Sequence, residues 1–336
     1  IRILSSFPQG GQGITVKDLV EKSGMEKKVI RRLLKSAARK KTINREIGKG
    51  YCLEPLLPGV FEAYFISMED SEENLKKAAK LYREIFKDEE IAHQVFDEGF
   101  QFFRPLLPIK KSKQDLIEIN HEFDVESQVL SYEMVEDIIE NNDHFAVIPC
   151  QCRLVGEMSG EPCNVASSEM GCLSCGIGAQ MLAMSGKAKS LTKKEAIEFL
   201  KETEKAGLVH STSNSKGGEH LHFICNCCTC HCGVLKHVKD FGTHSLNPSN
   251  YKPIFNDDGC IECGICVEKC PMDAISTRDD GKIEFNKEIC IGCGICANNC
   301  STESIKMMKM HLKEPPEKNK VGGKYFMQIL GELLNS

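Results

Sequence analysis

The sequence predicts an α+β protein built from several consecutive parts. Three observations carry that prediction. Apolar residues recur at helical spacing through much of the N-terminal half. Short apolar or β-branched runs beside Gly and Pro read as strands. Eighteen of the nineteen cysteines fall between Cys150 and Cys300 in tight local groups, and two of those groups repeat. A chain of 336 residues is long enough for two or three domains. The expected divisions are 1–55, 56–145, 146–250, 251–310 and 311–336.

Composition removes several classes of protein. The apolar fraction of 41% is ordinary for a globular chain, and the net charge of −5 is mild. No run approaches the roughly 18 consecutive apolar residues of a membrane-spanning helix, so no transmembrane segment is expected. The cysteine count is odd, Cys52 stands alone, and the remaining thiols are clustered as metal sites require. Disulfide frameworks belong mainly to short secreted chains. Free thiols at this density imply a reducing, cytoplasmic compartment and an anaerobic cell. The first residue is Ile1 rather than Met, as expected of a chain whose N-terminal residues precede this sequence.

Residues 1–55 carry thirteen Lys or Arg against five Asp or Glu. GITVKDLVEKSG predicts a short helix that starts after Thr15 and stops at Gly24. MEKKVIRRLLKSAARKK predicts a second, with Val29, Ile30, Leu33, Leu34 and Ala37 at helical spacing. TINREIGKGYCLEP then reads as a hairpin around Gly48 and Gly50. This order resembles a winged helix. Lys27, Lys28, Arg31, Arg32, Lys35, Arg39, Lys40 and Lys41 lie on or just beyond the second helix. They suit either phosphate contacts on nucleic acid or docking to an acidic partner. No side chain there is a clear base reader, and docking or a structural role is preferred.

Pro55 and Pro58 mark a boundary, and residues 60–145 read as mainly helical. SMEDSEENLKKAAKLYREIFKDEEIAHQVF places Leu75, Ala78, Ala79, Tyr82 and Phe86 on one face. QVLSYEMVEDIIENNDH predicts a helix ending near Asn141–Asn142, and FAVIP a buried strand leading to Cys150. LTKKEAIEFLKETEKAGLVH is a well-signalled helix, with a Thr192–Glu195 capping box and Gly207 as its stop. LHFI predicts a short strand and GVLKHVKDFG a helix. A Pro-Pro linker precedes KYFMQILGELLNS, a short amphipathic helix that packs on this chain or on a partner.

DDGCIECGICVEKCPMDAIS and KEICIGCGICANNCSTESIK form an internal repeat at an offset of thirty residues. Each has the spacing C-x₂-C-x₂-C-x₃-C of bacterial ferredoxins, whose fourth cysteine serves the other cluster. Three thiolates on one tight loop reach three iron corners of one cube, and the fourth points to the neighbouring cube. One [4Fe–4S] cluster is therefore assigned to Cys260, Cys263, Cys266 and Cys300. The second is assigned to Cys290, Cys293, Cys296 and Cys270. Gly264 and Gly294 let the backbone turn close to sulfide. Ile261, Ile265, Ile291 and Ile295 are expected to shield the clusters. Pro271 follows the fourth cysteine of the first repeat and Ser301 that of the second. Zinc sites use four ligands in two pairs, and the doubled pattern argues against them here.

Ten further thiols lie between the helical segment and the repeat: Cys150, Cys152, Cys163, Cys172, Cys175, Cys225, Cys227, Cys228, Cys230 and Cys232. They fit one or two more [4Fe–4S] clusters, zinc sites, or a dithiol redox centre, with a further cluster preferred. On an extended strand Cys228, Cys230 and Cys232 would converge on one face, with Cys225 and Cys227 on the other. His231 is expected in a supporting or solvent-facing place rather than as a ligand.

The winged-helix start, PCQCR, the later cysteine pair, FICNCCTCHCGVL and the dicluster end together resemble a family of anaerobic 4Fe–4S dicluster-binding proteins. The resemblance covers most of residues 145–305. In that family position 231 is often Cys and position 175 often is not, and this sequence departs at both. The resemblance implies a ferredoxin-type subunit beside a larger redox enzyme. The expected function is one-electron transfer to or from a partner oxidoreductase or a larger oxidoreductase complex. Lone GGQG near residue 10 makes no nucleotide-binding fingerprint, and no nicotinamide or flavin motif accompanies it. Two other functions fit the residues. One is an iron–sulfur transcription regulator that uses the winged helix on DNA. The other is a reductase with its own middle-domain metal or dithiol site, where Glu157, Glu161, His210, His220 and His222 are the nearby acid/base groups.

Overall fold

The fold is α+β, in a computed structural model that describes residues 3–8, 13–40, 42–46, 50–53, 60–96, 101, 103–109, 133–214, 222–311 and 313–314. Two compact units are present, Ile1–Ile85 and Phe86–Lys320.

In the first unit α1 spans Val16–Ser23. Thr15 accepts the Asp18 N–H at 3.2 Å while Asp18 accepts the Thr15 N–H at 3.1 Å, and left-handed Gly24 ends the helix. Helix α2, Lys27–Arg39, buries Ile30 and Leu34. Strands β1 (Ile43–Glu46) and β2 (Gly50–Leu53) pair antiparallel, and Ile14 bridges to Tyr51 as a third backbone segment. Gly50 has φ +93°, and a Cβ there would stand 2.5 Å from the Ile14 carbonyl oxygen. The core joins Ile3, Phe7, Ile14, Leu19, Ile30, Leu34 and Ile43. The expected helix, helix and hairpin are all present in the expected order. Gly48, Lys41 and most of GGQG lie outside the described residues.

Helices α3 (Phe61–Ser67) and α4 (Glu72–Ile85) pack through Phe61, Phe65 and Tyr82. Asp70 locks their junction to the end of α2. It accepts from Lys40 Nζ at 2.6 Å, Tyr64 Oη at 3.0 Å, Asn74 Nδ2 at 2.9 Å and the Ser71 N–H at 2.8 Å. The Asn74 and Lys40 bonds, the two largest causes, hold its carboxyl well below the usual carboxylate range.

The second unit begins at Phe86. The long helical stretch read from the sequence breaks there, because Asp88 accepts the Ile91 N–H at 2.9 Å and starts α5, Glu89–Phe96. Then come β3 (Phe103–Pro105), α6 (Val135–Glu140), β4 (Phe145–Ile148), α7 (Gln151–Ser159) and β5 (Cys172–Cys175). They are followed by α8 (Ile177–Met184), β6 (Lys189–Leu191), α9 (Lys193–Lys205), β7 (Val209–Ser213), β8 (His222–Cys227) and α10 (Leu235–Phe241). The strands form one antiparallel sheet in the order β3-β7-β8-β5-β4-β6. Only β4 and part of β8 are expected from the sequence. The Thr192–Glu195 capping box and the positive φ of Gly207 are both present.

The C-terminal repeat adds β9 (Tyr251–Phe255), α11 (Ile265–Glu268), β10 (Ile275–Thr277), β11 (Ile283–Phe285), α12 (Ile295–Asn298) and β12 (Ile305–Lys309). β9 pairs with β12 across the whole repeat, and β10 pairs with β11. The predicted tail helix and the start of the QVLSYEM segment lie outside the described residues.

Replacing Asp70 by Ala is expected to destabilise the first unit by about 2 kcal/mol, the scale of a charged, multiply bonded group. The folded carboxyl titrates below the unfolded one. Its stabilisation is therefore complete above the ordinary carboxylate pKa of about 4 and drains away as pH falls below it. Denaturant melts of wild type and variant should differ at pH 7 and converge in acid.

Candidate metal centres

Each half of the repeat is a loop that turns through a left-handed glycine into a one-turn helix. Gly264 (φ +72°) precedes α11 and Gly294 (φ +74°) precedes α12. The third cysteine of each half, Cys266 or Cys296, sits in that turn, and the fourth, Cys270 or Cys300, follows it. Backbone N–H groups point at sulfur: Glu262 to Cys260 at 3.4 Å, Gly292 to Cys290 at 3.4 Å and Ala274 to Cys270 at 3.2 Å. Such bonds favour the thiolate, the form that binds metal.

Two cavities open among these residues, and each borrows a cysteine from the other half. One is lined by Cys260, Cys263, Cys266 and Cys300, with Ile265 and Ile305. The other is lined by Cys290, Cys293, Cys296 and Cys270, with Ile275 and Phe285. Among the described residues no two of these eight thiols are in hydrogen-bond contact, so each set stands around a space. The cavities differ in depth. Cys263 is exposed, whereas Cys293 and Cys296 are buried. Burial pushes the Cys293 thiol up to about 12 in the protein without metal. Ile291 and Ile295 are covered, whereas Ile261 lines the first cavity and is 62% exposed. The second loop is covered by neighbouring chain, since a Cβ on Gly294 would stand 2.8 Å from Pro108 Cδ. The first loop faces solvent.

In the middle of the unit the thiols sort into groups. Cys163 Sγ lies 3.2 Å from Cys230 Sγ and 3.8 Å from Cys228 Sγ. Contacts from Cys163 and Cys230 hold the Cys228 thiol well below its usual range, and Arg153 adds to the effect. Cys172 lies 3.4 Å from Cys225. The free thiols of Cys150 and Cys232 lie close enough to Cys152 to raise its pKa, and Cys225 and Cys232 lie close enough to Cys227 to shift its pKa. Cys150, Cys152, Cys172, Cys225, Cys227 and Cys232 thus form one connected set. Cys232 joins this set rather than Cys228 and Cys230, against the alternation expected from the sequence. The reason is local: β8 stops at Cys227 and the chain turns through the next residues. Cys175 stands apart, packed with Phe145, Leu173 and Ile224 in the apolar core, where burial pushes its thiol up to about 12.

His231 is not solvent-facing. It is buried, and its Nε2 lies 2.7 Å from the Glu161 carbonyl oxygen. The acid/base candidates are otherwise engaged. Glu157 accepts from Ser168 N and Oγ at 2.7 and 2.6 Å, and Glu161 pairs with Lys87 at 2.7 Å. His210 lies between Asn226 Oδ1 at 2.7 Å and Glu204 Oε1 at 3.0 Å. His220 and the side chain of His222 lie outside the described residues.

Two positions unrecognised in the sequence hold this region together. Arg153, in PCQCR, is fully buried and donates to Ser167 O at 2.9 Å, Asn226 O at 2.8 Å and Met170 O. It thereby ties α7 to β8 and to the loop between Cys163 and Cys172. Gly171 is the second: a Cβ there would stand 1.8 Å from Ile148 O and 2.5 Å from Cys150 N. Glu204 then joins sheet to repeat, accepting from Asn298 Nδ2 at 3.1 Å and the Ile109 N–H at 2.6 Å.

A doubled cysteine loop whose fourth cysteines line each other's cavities defines an iron–sulfur protein of the two-cluster ferredoxin type, whose chemistry is one-electron transfer. Residues 254–307 match the 4Fe-4S dicluster domain family. The chain is also 39% identical over 87 residues to ketoisovalerate oxidoreductase subunit VorD of Pyrococcus furiosus, covering 23% of this chain and 83% of that relative. The chain belongs to the 4Fe–4S dicluster ferredoxin family and carries two [4Fe–4S] clusters. Among the described residues no helix is long and apolar enough to cross a membrane.

Replacing Arg153 by Lys keeps the charge but loses the planar fork that reaches three carbonyls. The variant is expected to lose about 3 kcal/mol, the cost of orphaning buried partners. An anaerobic thermal melt, compared with wild type, measures it.

Proposed function

We propose that this chain is the electron-transfer subunit of an oxidoreductase and works in a reducing, cytoplasmic compartment. Cys260, Cys263, Cys266 and Cys300 ligate the outer cluster, and Cys290, Cys293, Cys296 and Cys270 the inner one. The observation that carries this reading is the crossed lining of the two cavities. The exposed Cys263 and Ile261 make the outer cluster the point of exchange with a partner. VorD is named as a subunit of a ketoisovalerate oxidoreductase, which supports a partner enzyme of that general kind.

Two assignments go with it. The connected set of Cys150, Cys152, Cys172, Cys225, Cys227 and Cys232 supplies six thiolates for a third cluster in the same unit, whose binding would part contacts such as Cys172–Cys225 at 3.4 Å and would extend the wire. The first unit acts as a winged-helix docking module. Lys27, Lys28, Arg31, Arg32, Lys35 and Arg39 are exposed along α2 and suit an acidic partner, while Lys40 is already held by Asp70. A promoter-specific affinity that weakens with salt would favour a regulator instead.

The full-length chain purified anaerobically is expected to hold about twelve iron and twelve sulfide, four of each per cluster. Eight of each would remove the third cluster and leave the two ferredoxin clusters standing. Cys270→Ser is expected to perturb the same cluster as Cys293→Ser, and Cys300→Ser the same cluster as Cys263→Ser, seen as matching losses in the reduced electron paramagnetic resonance spectrum. A Cys270→Ser spectrum that matches Cys263→Ser instead would refute the crossed assignment.

A further inference from the structure

We propose that Cys163, Cys228, Cys230 and His231 bind one zinc ion in a closed tetrahedral Cys₃His site, separate from the iron–sulfur clusters. Among the described residues these four form a group whose ligand atoms all lie within 4.8 Å of one another. Its three sulfurs are close, with separations of 3.2 and 3.8 Å from Cys163 to Cys230 and Cys228. A tetrahedral ion with metal–sulfur bonds of about 2.3 Å sets its sulfurs about 3.8 Å apart. The thiolates around a four-iron cube bind separate iron corners and point outward, so they stand much further apart. The spacing therefore suits one ion as it stands, whereas a cube would need the three sulfurs to move apart.

The histidine is oriented for the task. Nε2 faces the Glu161 carbonyl at 2.7 Å and donates to it, which places the ring's lone pair on Nδ1. A histidine that ligates metal ordinarily donates its other N–H to an acceptor of this kind. The ring lies against α7 at Gly156, where a Cβ would stand 2.4 Å from Cδ2 and 2.5 Å from Nε2. Cys163 is held in place as well. Its loop is fastened by the Glu161 N–H to Gly156 O at 2.8 Å, by the bonds of Glu157 to Ser168 and by Arg153 to Ser167. The Val165 N–H points at Cys163 Sγ at 3.4 Å. Sulfur and imidazole ligands with no open position make a structural zinc site. Its place is to staple the loop after α7 to the turn after β8.

The test measures zinc and iron together in the full-length chain, purified anaerobically, supplied with zinc alone and passed over a chelating column. Wild type is expected to keep about one zinc per chain. Cys230→Ser and His231→Ala are each expected to hold zinc at least about tenfold more weakly, with iron unchanged. His231→Cys is expected to retain it. Gly156→Ala, which displaces the ring without replacing a ligand, is expected to weaken it too. Cobalt in place of zinc should give the visible bands of a tetrahedral thiolate site, lost in Cys230→Ser. Wild type without zinc, or zinc that survives Cys230→Ser, overturns the proposal. Iron that falls with Cys230→Ser also overturns it, because these residues would then ligate iron. Failure of the ferredoxin assignment is read separately, from Cys270→Ser and Cys300→Ser.

Discussion

The last cysteine of each half of the C-terminal repeat lines the cavity of the other half, and the rest of this unit is arranged around that exchange. Three cysteines on a left-handed glycine turn reach one cavity. The fourth lies beyond a one-turn helix and faces the neighbouring cavity. Neither half can therefore complete a site alone. The antiparallel pairing of β9 with β12 holds the two ends of the repeat in register. Local sequence makes the loops, and long-range pairing makes the sites.

The sheet unit supports that arrangement through buried polar contacts. Glu204 closes α9 and takes Asn298, the last residue of α12 and two residues past Cys296. Lys309 on β12 pairs with Glu133 at 3.4 Å, with both side chains 1% exposed, and Asn250 donates to the same carboxylate. Pairs of this kind add little net stability over apolar packing, but losing one partner is costly. They act mainly to forbid other ways of docking the repeat on the sheet.

What was legible in the sequence was whatever local chemistry decides. Thr15 with Asp18 and Thr192 with Glu195 announce helix starts, and the cysteine spacing announces the ferredoxin loops. Strands β5 and β7 were not legible. CLSC and VHSTS lack the apolar alternation of a half-buried strand, because most of their side chains are buried, polar ones included, and His210 is met by Asn226 on β8. The solvent-facing alternative for His231 fails for a related reason. Its place depends on Gly156 and on the Glu161 carbonyl, seventy residues earlier in the chain. The sorting of the middle thiols turns on where β8 ends, which spacing alone does not state.

The unequal depth of the two ferredoxin cavities has an electrical consequence. A cube bound by four thiolates already carries net negative charge, and reduction adds more. Charge is harder to hold in an apolar interior than beside water. Two cubes held in these cavities would therefore not be equivalent, and an added electron would be easier to hold in the cavity beside exposed Cys263. Covering this face would remove that water, and the energetic difference between the two cavities would then narrow.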